Sequence, residues 1–293
     1  MDGYQSKPAL ISYGVPQGSI LRPLLFLIYI NNINQIGLHG QINLYADDTS
    51  FFYYGSSIHD IIARAQEDLS TLHTWFQCNL LTINTDKTCY IKPKNKKIPF
   101  HKPLLLNNIP IQQGKEEKYL GLRLDSFLTW NSHIEHVKSK LTRLMGSLKG
   151  VVRCLPQQVR LTIYNSLVKP HLLYLIEIWG SAYKSNLAKL QITQNKIIKM
   201  LFHYPYLTPT NKIYKETKLM NLSQLYKFNI CILVRKILDK SIHSDITLLK
   251  QKDLFTAQPD EQAMWFYQKY ELHMARKLLL LREHNFLMNY PWT

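Results

Sequence analysis

The alternation of apolar and polar positions divides the chain into a strand-and-turn region up to about residue 125 and a helical region after it. Ile42 and Leu44 alternate with Asn43 and Tyr45, the period of two of a half-buried strand. Ser50 to Tyr54 is a second β-prone run, halted at Gly55-Ser56-Ser57. Together they predict a hairpin with Asp47 and Asp48 at its tip. Upstream, the apolar stretch from Leu24 through Ile33, with Ser19 placed to cap it, predicts a buried helix. The clearest helix is Ser57 to Leu80, where Ile61, Ala65, Leu69, Leu72, Phe76 and Leu80 share one face. Ser57 and Asp60 resemble a capping box at its start. Leu81 to Ile91 reads as strand, tight turn, strand, and Leu104 to Ile111 as a small hairpin turning at Asn107-Asn108. Glu117 to Asp125 adds further strand, and Gly121 inside it predicts a place where another backbone comes close.

From Trp130 the period becomes helical. Ile134, Val137, Leu141, Leu144 and Leu148 form one face, and a second helix is expected from Pro156 to Val168. Pro170 breaks it, Leu172 to Trp179 is a third apolar segment, and Leu187 to Phe202 a fourth. Tyr204 to Thr210 reads as a linker by its prolines, and a further helix surrounds Leu225 and Ile232. An amphipathic stretch from Met264 to Arg282 predicts a docking helix. The fold class is α+β. Three regions are expected: 1–125 with hairpins, 126–203 all-helical, and 204–293 as a helical extension.

Charge narrows the function. Lys and Arg number 36 against 20 acidic residues, a net +16. Residues 131–203 hold 11 of those cations and only Glu135 and Glu177, a net +9. Such an excess suits a phosphate backbone better than a neutral metabolite. The helix beginning near Asn131 places Lys138, Lys140 and Arg143 beside its apolar face as candidates for duplex backbone contacts. The short basic loop from Lys92 to Lys97 is a solvated loop or a further backbone contact. Cys78, Cys89, Cys154 and Cys231 are widely spaced, as buried thiols of a reducing compartment would be. The longest apolar run, Pro23 to Ile30, is far short of the roughly 20 residues that span a bilayer. The start of the chain has no charged leader. An intracellular chain facing nucleic acid, in nucleus or cytoplasm, is expected.

Two stretches carry chemistry. Adjacent carboxylates at a hairpin tip can serve Mg²⁺ at a phosphoryl centre, with Asp47 the main ligand and Asp48 the second, though Asp-Asp is also ordinary turn chemistry. Gly14-Val15-Pro16-Gln17-Gly18-Ser19 forms an open loop feeding a helix, where backbone can approach a nucleotide or template base.

Taken in this order and spacing, Gly14 to Ser19 followed by Tyr45-Ala46-Asp47-Asp48 resembles two motifs of the reverse transcriptase palm, in the wording of jockey-type non-LTR retrotransposons. The resemblance implies an RNA-directed DNA polymerase that copies an RNA template from a DNA primer with deoxynucleoside triphosphates and two Mg²⁺ ions. It implies metal ligation by Asp47 and Asp48, and template or nucleotide contact by Gly14, Pro16, Gln17, Gly18, Tyr45 and Ala46. Lys87 corresponds to a lysine near the leaving pyrophosphate, where a cation serves as acid or neutralises charge. Tyr119, Leu120 and Gly121 correspond to the primer grip. Residues 126–203, with Leu128-Thr129-Trp130-Asn131-Ser132-His133 and Ile178-Trp179-Gly180, are similar to the thumb of that family.

Two departures stand out. Arg22 occupies a usual glycine position, and Asn31-Asn32 replaces Asn-Asp. A palm of this family carries a further aspartate on a strand upstream, and only Asp2 precedes Gly14. The expectation is an N-terminally truncated palm followed by a thumb, inactive alone. The alternative is a non-catalytic remnant that binds nucleic acid.

Overall fold

The computed structural model describes residues 18–55, 57–91 and 103–242, and the backbone of 286–290. It is a mixed structure of helices and small sheets, as the α+β expectation requires. The chain divides into two compact units.

The first unit holds the described residues up to 91, residues 103–114 and the strand 286–290. Its sheet contains β1 (Gln41–Tyr45), β2 (Asp48–Tyr53), β3 (Cys89–Ile91), β6 (Gln112–Gln113) and β9 (Phe286–Tyr290). The order is β1-β2-β9-β3-β6, antiparallel except for β3 beside β6. β4 (Leu105–Leu106) and β5 (Ile109–Pro110) form the small hairpin. Asn107 and Asn108 both take positive φ there, 51° and 63°, as a two-residue hairpin loop demands.

Two helices precede and follow the β1–β2 hairpin. α2 (Ile58–Cys78) begins at Ser57, whose hydroxyl accepts from the Asp60 amide at 3.5 Å. It buries Ile61, Ala65, Leu69, Leu72 and Phe76 against Phe51 and Tyr53 of β2. At roughly 1.5–3 kcal/mol per large apolar side chain, this stripe is what holds the helix on the sheet. Leu80, expected on that face, lies past the helix end with φ 54° and is exposed. α1 (Leu21–Ile30), followed by a 3-10 turn (Asn31–Gln35), corrects the expectation of a buried helix. Ile30 and Ile33 are buried, whereas Leu21, Leu24, Leu25, Leu27 and Ile28 are exposed among the described residues. A helix apolar on all sides meets the core with only one of them.

The second unit comprises residues 115–242 of the described chain. The hairpin β7 (Glu116–Tyr119) and β8 (Leu122–Asp125) leads into α3 (Asn131–Leu148). There follow α4 (Gln157–Ile163), a π turn (Tyr164–Val168), α5 (Lys169–Leu173), α6 (Ile176–Trp179), α7 (Lys184–Leu201), α8 (Thr210–Thr217) and α9 (Leu222–Leu238). Pro170 does not break its helix. It lies within the first two residues of α5, directly after the π turn, where the wider spacing accommodates an imide that donates no hydrogen bond. The break comes at Leu175, with φ 51°.

The boundary expected between 125 and 126 falls between 114 and 115, because Leu122 of β8 is buried in the helical core with Trp130, Ile134 and Trp179. The unit is therefore not all-helical. Residues 204–242 join the same core through Ile213, Leu225 and Ile230. A buried polar network fixes them there. Gln194 donates to the Tyr164 hydroxyl and the Met220 carbonyl, both at 2.9 Å, and Gln191 accepts from the Leu222 amide at 2.8 Å. The Lys92–Lys97 loop and the Met264–Arg282 stretch lie outside the described residues.

Candidate active site

The β1–β2 hairpin has a two-residue loop, Ala46-Asp47, closed by the opposed pair Tyr45 and Asp48. Asp48 is thus the first residue of β2 and half-buried, and Asp47 is the exposed tip. Ala46 holds φ 51°, a left-handed value that short hairpin loops impose and that costs an alanine roughly 1 kcal/mol. The hairpin's base is fixed by Asp68 of α2, which is 2% exposed. Its carboxylate accepts from the His39 amide at 3.0 Å, the Gly40 amide at 2.9 Å and the Tyr53 hydroxyl at 2.9 Å. Gly40 permits this approach, since a Cβ there would stand 2.6 Å from Cε1 of Tyr53. The sequence reading missed Asp68. Its signal was available: a carboxylate at three and four residues from Ala65 and Leu72 on an otherwise apolar stripe.

Asp47 and Asp48 are hard oxygen donors, the kind Mg²⁺ takes. Among the described residues no group of three His, Cys, Asp or Glu could hold a metal ion. The donors therefore fit Mg²⁺ in kind, and two side chains do not complete its coordination.

The other expected site residues are placed as follows. Gly14, Pro16 and Gln17 lie outside the described residues. Gly18 has φ 85° with open space at its Cα, and the Ser19 hydroxyl accepts from the Leu21 amide at 3.3 Å at the entry to α1. Tyr45 is exposed. Lys87 is exposed in a turn before β3, its amide donating to Oδ1 of Asn84 at 3.1 Å. β3 lies two strands from β2, across β9. Leu81 to Ile91 holds an isolated bridge residue and β3, not a full strand pair.

In the second unit, Leu120 and Gly121 are the loop of the β7–β8 hairpin, with φ 45° and 84°. Gly121 is at a turn and not within a strand. What comes close is a side chain: a Cβ on Gly121 would stand 3.2 Å from Cε1 of Tyr174, whose hydroxyl donates to the Leu120 carbonyl at 2.6 Å. Asp125 builds the passage into α3, accepting from the amides of Phe127, Thr129 and Trp130 and from the Thr129 hydroxyl at 3.0–3.1 Å. On α3, Lys138 donates to Glu135 at 2.9 Å, and Lys189 of α7 reaches the same carboxylate at 3.3 Å. Lys140 and Arg143 are exposed, with no carboxylate partner among the described residues. His133 is buried beside Trp179 with Nε2 unpartnered among the described residues. Burial, then the charges of His136, Lys140 and Arg123, holds its pKa down to about 4.

Residues 1–124 match the family described as reverse transcriptase (RNA-dependent DNA polymerase). The chain is 27% identical over 232 residues to the probable RNA-directed DNA polymerase from transposon BS of Drosophila melanogaster, covering 75% of this chain and 25% of that protein. It is 28% identical to the RNA-directed DNA polymerase from mobile element jockey of the same species, covering 77% and 26%. The jockey polymerase of Drosophila funebris gives 29% identity, covering 72% and 24%. The chain thus spans about a quarter of the length of these curated relatives. No solved structure matches. No described helix is long and apolar enough to cross a membrane.

Proposed function

We propose that this chain forms part of an RNA-directed DNA polymerase of a non-LTR retrotransposon, with the first unit as palm and the second as thumb. The observation that carries the reading is the Asp47–Asp48 hairpin tip inside the segment that matches the reverse transcriptase family. Divalent metal, when bound, supplies stabilisation of charge on the phosphoryl oxygens. Asp47 and Asp48 are the ligands this chain provides, Asp68 and Ala46 hold their hairpin, and the remaining ligands come from outside the described residues. Lys87 meets the charge developing on the leaving pyrophosphate. The Gly14–Gly18 loop and Tyr45-Ala46 lie against template and incoming nucleotide, Tyr119-Leu120-Gly121 against the primer, and Lys140 and Arg143 against the duplex backbone. Lys138 is a weaker backbone candidate than its position suggested, because Glu135 already engages it. RNA template, DNA primer and deoxynucleoside triphosphates are the substrates of this reading.

The experiment is primer extension on an RNA template with Mg²⁺. The chain alone should give no extension. Fused behind the preceding segment of the jockey polymerase, it should extend, and Asp47→Asn should lower the rate by roughly a thousandfold or more. Extension unchanged by Asp47→Asn defeats the assignment. The second reading, a protein that binds duplex without catalysis, is favoured by the two-carboxylate count, and it is upheld if the fusion binds duplex yet never extends.

A further inference from the structure

The β7–β8 hairpin packs beside the face of α3 that carries Lys140 and Arg143, and it brings further charge and a histidine to that place. The Arg123 amide donates to Nδ1 of His133 at 3.4 Å, which lays the hairpin on the first half of α3. Lys118 and Arg123 are directly opposed across the hairpin and so share one face of it. His136, Lys140 and Arg143 recur at the fourth and third following positions on α3 and share one helix face. These groups act on one another. Burial first, then the charges of Arg123, Lys140, Arg143 and Lys118, holds the half-buried His136 below the ordinary histidine value. Lys140 also acts on His133 and on His171 of α5. The carboxylate in the group is Glu116, kept below the usual range by Ser132 and by Arg123, which it meets at 2.8 Å.

We propose that this cluster is a seat for the phosphodiester backbone of an RNA–DNA duplex, in which His136 takes up a proton as the duplex binds, so that the grip tightens as pH falls. Lys140 and Arg143 have no carboxylate partner among the described residues, and with Lys118 and the Glu116-paired Arg123 they make the surroundings of His136 positive, which attracts an anion. They are strung over two elements, which suits a chain of phosphates better than a single ion. The nearby Lys138 and Lys189 are different, since Glu135 serves both. A phosphate beside His136 cancels the neighbouring cations and accepts a hydrogen bond from the imidazolium. The bound state then has the higher histidine pKa. The gain in affinity is complete below the free-state pKa and is lost as pH rises through the bound-state pKa, about tenfold for each unit between them.

This inference rests on the duplex-binding reading of the second unit. The test uses the full chain and a fluorescent RNA–DNA hybrid at constant ionic strength, near about pH 5.5 and about pH 7.5, bracketing the ordinary histidine value. The wild-type chain should bind about fivefold or more tightly at the lower pH. His136→Gln and His136→Asn should both abolish that gain while keeping the affinity at the higher pH within about twofold. Lys140→Gln with Arg143→Gln should flatten the salt slope by about two units. A pH response that persists in both His136 variants overturns the inference alone. Absence of duplex binding at either pH overturns the duplex reading and the inference with it. Equal binding of polyglutamate overturns the phosphate assignment.

Discussion

Ala46 and His133 are single residues held in states that a free chain disfavours. Ala46 sits at φ 51° beside the carboxylate tip, a conformation glycine takes without cost. Ala46→Gly should therefore leave the stability of the first unit unchanged or raise it by up to about 0.6 kcal/mol in urea unfolding, because the chain entropy of glycine offsets most of the relieved strain. For His133 the fold favours the neutral ring, with its pKa near 4 against 6.5 ordinarily. The unfolded chain binds that proton more tightly, so the stabilisation is full above about pH 6.5 and is lost progressively as pH falls toward 4. Urea midpoints of the second unit should drop across that window, and His133→Phe should shrink the drop. At this scale the sequence showed the hairpin tip, since Asp47 and Asp48 sit between two alternating runs that pair as β1 and β2. Asp68 could be noticed on its apolar stripe but its partners could not, because the amides of His39 and Gly40 are brought to it by the fold, whereas Asp125 holds amides only two to five residues along the chain.

Among elements, strong periodicity was legible and uniform apolarity was not. α2 carries a clean stripe, and its start at Ser57 and buried face follow from that stripe. α1 is apolar on every side, so composition could not say how much of it meets the core. Pro170 misled in the other direction, because the accommodating π turn is a tertiary outcome with no residue signature. The passage from β8 into α3 depends on four hydrogen bonds to one carboxylate, with Trp130 left-handed at φ 61° between the two elements. Asp125→Ala should cost the second unit about 2–3 kcal/mol in denaturant unfolding, since three amides and a hydroxyl lose a charged acceptor. A loss under about 0.5 kcal/mol would show that water replaces it.

Across the whole molecule, each unit has its own hydrophobic core. The dominant helical unit was legible because local periodicity specifies it. Its boundary was not, since the β7–β8 hairpin reads as part of the preceding strands and packs with the helices that follow. The fragment 115–242, expressed alone, should unfold cooperatively in denaturant; a broad, non-cooperative transition would show that it depends on the rest of the chain.

β9 has a consequence for the order in which the protein acquires its shape. Its residues pair Phe286 with Tyr53 and Tyr290 with Thr49, across more than two hundred residues of intervening chain. Every strand-to-strand bond between β2 and β3 passes through it. During synthesis the helical unit can close on itself from near neighbours, while the sheet bearing the carboxylate tip must wait for a strand made much later. Loop closure over that span is slow. The β1–β2 hairpin and its core can form early, and the five-stranded sheet is therefore completed only after the chain has returned to it.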